Sequence, residues 1–187
     1  TFDALMNTMA PAKQLWDSIC RIAPEDTIDL EQMKDLLVCM GYEKEYQVES
    51  MGQFAIRGGI LDIFPLTEDN PVRIEMWGDE VDTIRSFDVE SQKSIENLDE
   101  EVIYPACELV LTEAAKRAGI EKLLKEAESF SKKLRKEMKT EEAHRALSQA
   151  QELAEEWGEL AVTAGMDAFL SYFCEERVGL LDYFDPK

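Results

Sequence analysis

Three arginines fall inside segments that alternate like β-strands: Arg57 in QFAIRGG, Arg73 in VRIEMW and Arg85 in EVDTIRSFD. A guanidinium is planar, always charged and presents its donors in a fork, so a carboxylate or phosphate gripped at two points is its natural counterpart. Between residues 51 and 100 these three and Lys93 are the cations, against twelve acidic residues. The bland explanation is a cross-strand pair with a neighbouring Asp or Glu, and Arg85 is assigned to it. Arg73 shares a strand face with Glu75 and Trp77, opposite Val72, Ile74 and Met76. An exposed Trp beside an Arg is the composition of a protein-binding hot spot. Arg57 follows Ile56, which is placed inward with Phe54, so Arg57 points outward. The candidate binding residues are therefore Arg57, Arg73 and Trp77, accessible together on one sheet face.

Other chemistry finds little support in the residue pattern. GxxxxGK[ST], GxSxG and HExxH do not occur in the sequence, so no phosphate-cradling loop, nucleophile elbow or zinc-protease helix is assigned. His144 is the single histidine. It sits in the polar run EEAHRAL and reads as a surface residue rather than a base or ligand. The acidic WGDEVD lacks the ligand spacing of a calcium loop and reads as a hairpin turn with solvated charge. No catalytic, cofactor-binding or metal-ligating residue is assigned, and the chain is expected not to be an enzyme by itself.

The elements that position the arginines follow from periodicity. Residues 51–106 form a small antiparallel meander. QFAIRGG is the first strand, and ILDIFP continues or bends it, with a bulge or close backbone approach at the two glycines. VRIEMW and EVDTIRSFD are joined by a tight turn at GD, with a bulge expected near Ile84, and EEVIYP is a short last strand. Before it, a helix runs from about Leu30 to Met40. Asp29 caps it, Gln32 follows three residues later and Gly41 stops it. Its stripe of Leu30, Met33, Leu36, Leu37 and Met40 is suited to cover the sheet. Phe2, Leu5, Met6 and Met9 have helical spacing up to Pro11. From residue 108 the chain becomes rich in Ala, Glu, Lys and Leu and reads as amphipathic helices, with breaks at Gly158 and Gly165. The fold class is α+β: a small antiparallel sheet domain with covering helices over 1–107, then a mainly helical segment over 108–187. The apolar stretch from Met166 to Phe184 is expected to be partly exposed, or buried only by self-association.

Composition narrows the partners. The 187 residues carry a formal net charge of −20 with 45% hydrophobic content. A core is possible, and bulk electrostatic binding of nucleic acid is disfavoured. No run approaches the roughly 18 apolar residues of a membrane span. Cys20, Cys39, Cys107 and Cys174 lack CxxC spacing and read as reduced thiols of a cytoplasmic protein. A start at Thr1 and an end after LDYFDPK suggest an excised piece of a longer chain.

The strings GQFAIRGGILDIFPL, PVRIEMWGDEVDTIRSFDVESQKS and YPACEL, in this order, resemble the UvrB-homology region of bacterial transcription-repair coupling factors (Mfd). The flanks TFDALMNTMAP and LSYFCEERVGLLDYFDP resemble it too. UvrB, of nucleotide excision repair, shares part of the frame and is the alternative; a nucleotide- or DNA-binding enzyme fragment is a further one. The resemblance implies that the β-rich domain docks UvrA, the damage-recognition ATPase, through Arg57, Arg73 and the aromatic at Trp77. It implies that residues 108–187 belong to an incomplete α/β UvrB-like domain. ATP, Mg, RNA polymerase and double-stranded DNA are, by the same resemblance, handled by other domains of the parent protein, and no cofactor is expected in these residues.

Overall fold

The computed structural model describes residues 8–159, 166–179 and 182–183. The chain divides into two units: Lys13–Val110, and the flanking segments Thr1–Ala12 and Leu111–Lys187. The segment up to Ala12 therefore groups with the helices beyond residue 110 and not with the sheet it precedes.

The first unit is built on a six-stranded sheet in the order β3(Glu43–Lys44), β4(Gln53–Arg57), β5(Ile60–Ile63), β6(Val72–Trp77), β7(Glu80–Phe87) and β8(Ser94–Asn97). All neighbours are antiparallel except β3 with β4. The glycines after Arg57 do not bend one strand. They form a two-residue hairpin loop, since Arg57 lies directly opposite Ile60. Gly58 has φ +61°, a left-handed conformation that favours glycine. Gly59 is the close approach: its carbonyl accepts from Met76 N–H at 2.7 Å. The register shift in β7 falls opposite Glu75 and Met76, at Asp82, two residues before Ile84. Glu101–Ile103 (β9) does not extend the meander. It pairs instead with Cys20–Ile22 (β2) in a separate two-stranded ribbon, and Ser94–Asn97, not read as a strand from its sequence, forms the sheet edge.

One helix covers the inner face of the sheet. After the short helix α1(Ala12–Trp16), α2 spans Leu30–Cys39. The Asp29 side chain accepts from the backbone N–H groups of Glu31 and Gln32, satisfying donors that a helix start leaves open. Met33, Leu37 and Met40 are buried from the helix side, against Phe54, Leu61, Ile63, Val72, Ile74 and Ile84 from the strands. This is the core, and the helix stripe and strand alternation place it there as expected.

The second unit is helical. α3(Glu113–Lys136) and α4(Thr140–Glu159) pack as a hairpin, with Leu123, Leu134, Ala143, Ala150 and Trp157 buried. Gly158 lies within α4 and does not break it; Gly165 lies outside the described residues. A 3₁₀ turn at Met166–Phe169 leads into α5(Leu170–Phe173), where Phe169 and Phe173 stack edge-on against Trp157, centroids 5.2 and 5.4 Å away. Met166, Leu170 and Cys174 are buried. Phe169, Tyr172, Phe173, Val178 and Tyr183 are half-buried and Ala168 is exposed, so the described part of this stretch is partly exposed, as expected; Phe184 lies outside the described residues. Thr8–Met9 (β1) pairs with Val178–Gly179 (β10), so Met9 is extended and not helical, while Phe2, Leu5 and Met6 lie outside the described residues. His144 is exposed on α4.

Candidate functional site

The outer face of the six-stranded sheet carries the three arginines, and strand register sets their spacing. One row across the sheet reads Ala55, Asp62, Arg73, Arg85 and Asn97; the next reads Arg57, Ile60, Glu75 and Thr83. Directly opposed residues share a face, so the alternation that buries Phe54 and Ile74 sends Arg57 and Arg73 outward.

Asp62 joins them. It is 1% exposed, and both its oxygens are used. Oδ1 accepts from Arg73 Nε at 2.6 Å; Oδ2 accepts from Arg73 Nη2 at 2.8 Å and from Arg57 Nη2 at 2.5 Å. The Arg73 contact is a two-point grip of fork on carboxylate. Arg73 Nη2 also donates to Gln92 Oε1 at 3.0 Å, and the guanidinium centre lies 4.4 Å from the Phe87 ring centroid. The turn after β7 delivers Gln92: its backbone N–H donates to the Asp88 carbonyl, and its Nε2 donates to Val89 O. Bonding to Asp62 holds the Arg73 guanidinium more firmly protonated than usual, against the opposing effect of burial.

Arg73 and Arg85 lie directly opposite each other, an arrangement that like charges disfavour. Each has its own carboxylate. Arg85 Nη2 pairs diagonally with Glu75 Oε1, and Glu75 Oε2 accepts from Thr83 Oγ1 at 3.2 Å. Arg85 is therefore the cross-strand partner its pattern indicates. The five charges sum to +1, a local excess of cation on a chain of net charge −20.

The three candidate residues share the outer face but not one degree of exposure. Trp77 is 85% exposed at the end of β6. The Arg57 side chain is 35% exposed and that of Arg73 only 15%, so Arg73 is not the freely accessible cation its strand position implies. Trp77 and Arg57 both end their strands at the same edge, beside the hairpin loops at Gly58–Gly59 and Gly78–Asp79, with β5 between the strands. Two strand spacings put β4 and β6 roughly 10 Å apart. At the opposite end of the face Val48, Ala55, Phe64 and Val89 form a small apolar cluster. Asp62, opposite Ala55, lies where that cluster gives way to charge, which accounts for its burial.

Asp62, Phe87 and Gln92 were missed by pattern alone. For Asp62 a signal exists: it is a lone carboxylate in the apolar run ILDIFP, and reading GG as a hairpin loop places it diagonally from Arg57. Among the described residues no group of three or more His, Cys, Asp and Glu side chains is placed to hold a metal ion.

Residues 20–109 match a family model described as the UvrB interaction domain. These residues form a UvrB interaction domain. The interaction domain contains every element of the arginine face, from β4 to β8. The chain is 39% identical over 181 residues to the transcription-repair-coupling factor of Bacillus subtilis, covering 96% of this chain and 15% of that protein. It is 34% identical over 162 residues to UvrABC system protein B of Thermosipho africanus, covering 84% of this chain and 24% of that protein. Over 88 residues it is 47% identical to a transcription-repair-coupling factor of Staphylococcus aureus, covering 47% of this chain and 7% of that protein. The chain thus spans a quarter or less of the length of these relatives. No helix among the described residues is long and apolar enough to cross a membrane.

Proposed function

We propose that the arginine face of the interaction domain docks UvrA, and that the chain is the docking part of a transcription-repair coupling factor acting in transcription-coupled nucleotide excision repair in the cytoplasm. The observation that carries this reading is an indole 85% exposed at Trp77, on the same face as two arginines anchored by one buried carboxylate. A large flat apolar group left in water beside oriented cations is suited to a partner surface with an apolar hollow and acidic groups. The reading of a coupling factor over UvrB rests on the 96% coverage of this chain by the Bacillus subtilis relative. The chain docks without catalysis or cofactor of its own; ATP turnover with Mg, RNA polymerase binding and double-stranded DNA binding are assigned to other parts of such a protein.

A titration of the full chain with purified UvrA tests the reading. Truncating a hot-spot residue commonly costs about 2 kcal/mol of binding free energy, and about 1.4 kcal/mol is one decade. Arg57→Ala and Trp77→Ala should therefore each weaken binding more than tenfold. Arg57→Lys should recover part of the loss, since an ammonium lacks the fork. Arg85→Ala, removing a residue paired to Glu75, should leave affinity nearly unchanged. Parent-like binding by Arg57→Ala and Trp77→Ala would sink the reading. Separately, ATP turnover by the chain above background would overturn the non-enzymatic assignment.

A further inference from the structure

We infer that Asp62 is a positioning residue for the docking face: it holds Arg57 in the orientation the partner meets, using Arg73 as a fixed strut. The inference rests on the docking reading above and deepens it.

The two arginines are anchored unequally. Arg73 spends Nε and Nη2 on Asp62, spends Nη2 again on Gln92, lies over Phe87 and is 15% exposed. Three of its five N–H donors are thus engaged, and little of the group reaches solvent. Among the described residues Arg57 makes one hydrogen bond, Nη2 to Asp62 Oδ2, and its side chain is 35% exposed, which leaves its other donors uncommitted. Arg57 can therefore accept a second carboxylate while Asp62 keeps hold of Nη2. A partner that binds a side chain already held in one rotamer loses less conformational freedom on association. Asp62 is suited to this because it is 1% exposed: its carboxylate cannot turn to solvent, and Arg73 grips it at two points. The chemistry expected of the partner is a carboxylate directed at Arg57, with an apolar contact for Trp77.

A merely structural Asp62 would change binding only by changing the fraction folded. A positioning Asp62 acts through Arg57, so its effect must vanish when Arg57 is gone. The test is a double-mutant cycle on the full chain with purified UvrA, using Asp62→Asn, Arg57→Ala and the double variant, each with a thermal melt. Asp62→Asn should weaken binding roughly tenfold. The double variant should bind no worse than Arg57→Ala alone. Where Asp62→Asn does not fold, Asp62→Glu takes its place in the cycle: it keeps the charge, displaces the oxygens by one methylene, and its smaller loss should also vanish on the Arg57→Ala background. A second readout needs no partner. The ¹⁵N relaxation of the Arg57 side chain should show it ordered in the parent and loosened by either Asp62 substitution. Parent-like binding by the Asp62 variant overturns the inference, and so do losses that multiply in the double variant or an Arg57 side chain equally ordered without Asp62. Parent-like binding by Arg57→Ala is a different result, because it removes the docking reading together with the inference.

Discussion

The two faces of the six-stranded sheet are made by the same strands, yet different forces hold them. On the inner face Phe54, Leu61, Ile63, Val72 and Ile74 pack against Met33 and Leu37 of α2 and Met40 at its C-terminal cap. That contact is non-directional and scales with apolar area. On the outer face Asp62, Arg57, Arg73, Glu75 and Arg85 form charge-assisted hydrogen bonds that hold only at particular distances and angles. The difference teaches where tolerance lies. The inner face needs apolar residues of about the right volume, whereas the outer face needs particular partners, because one charge removed leaves another buried.

The inner face should show the largest effect. Phe54→Ala removes a wholly buried ring and should cost about 3–5 kcal/mol, read from denaturant unfolding. A loss under about 1 kcal/mol would mean that the sheet does not depend on its covering helix.

Buried carboxylates sharpen the comparison, because not every one has a partner. Glu101 on β9 is 5% exposed, and its Oε1 finds no hydrogen-bond partner among the described residues. Burial, with a smaller contribution from the charge of Glu68, pushes its pKa from 4.5 up to about 7. A carboxyl with a raised folded-state pKa contributes stability that is full below its unfolded value and is lost as pH rises through the folded one. Stability should therefore fall between about pH 4.5 and 7, by on the order of 3 kcal/mol at most. Glu101→Gln should flatten that slope and raise the melting temperature at pH 8; an unchanged pH profile would count against it.

Arg73→Ala comes next. It strips Asp62 of its two-point partner while leaving the carboxylate buried, which should cost about 2 kcal/mol, less than for a fully enclosed pair because Arg57 remains. Replacing both groups, as Asp62→Leu with Arg73→Met, should cost less than Arg73→Ala alone, since no charge is then left unmatched. If the double replacement costs more, the outer face behaves as a packed core and the two faces do not differ in what holds them. The smallest effect belongs to Trp77→Ala. Its exposed side chain supports little of the fold, so the melt should move by no more than about 0.5 kcal/mol in stability.

Much of this was legible in the residues. Asp29 and Gly41 bracket α2, the period-2 alternation of VRIEMW separates Ile74 from Arg73, and the ordered motifs around Arg57 and Arg73 carry the family. These features are local or nearly so: a cap acts within one turn and alternation within one strand, so chain order is enough to read them. Contacts between distant residues were not legible. Whether GG bends one strand or closes a hairpin depends on whether Met76 approaches Gly59, and that contact forms only once β6 lies beside β5. Which strand EEVIYP joins depends on Cys20–Ile22, some eighty residues earlier in the chain. The state of Arg73 also required the tertiary structure. Its strand position sends it outward, but its exposure is set by Asp62, Gln92 and Phe87, three residues from separate elements that meet because the sheet and its turns close around one buried carboxylate. Direction along a strand is a property of the backbone, whereas burial and partnership are properties of what the folded chain brings near.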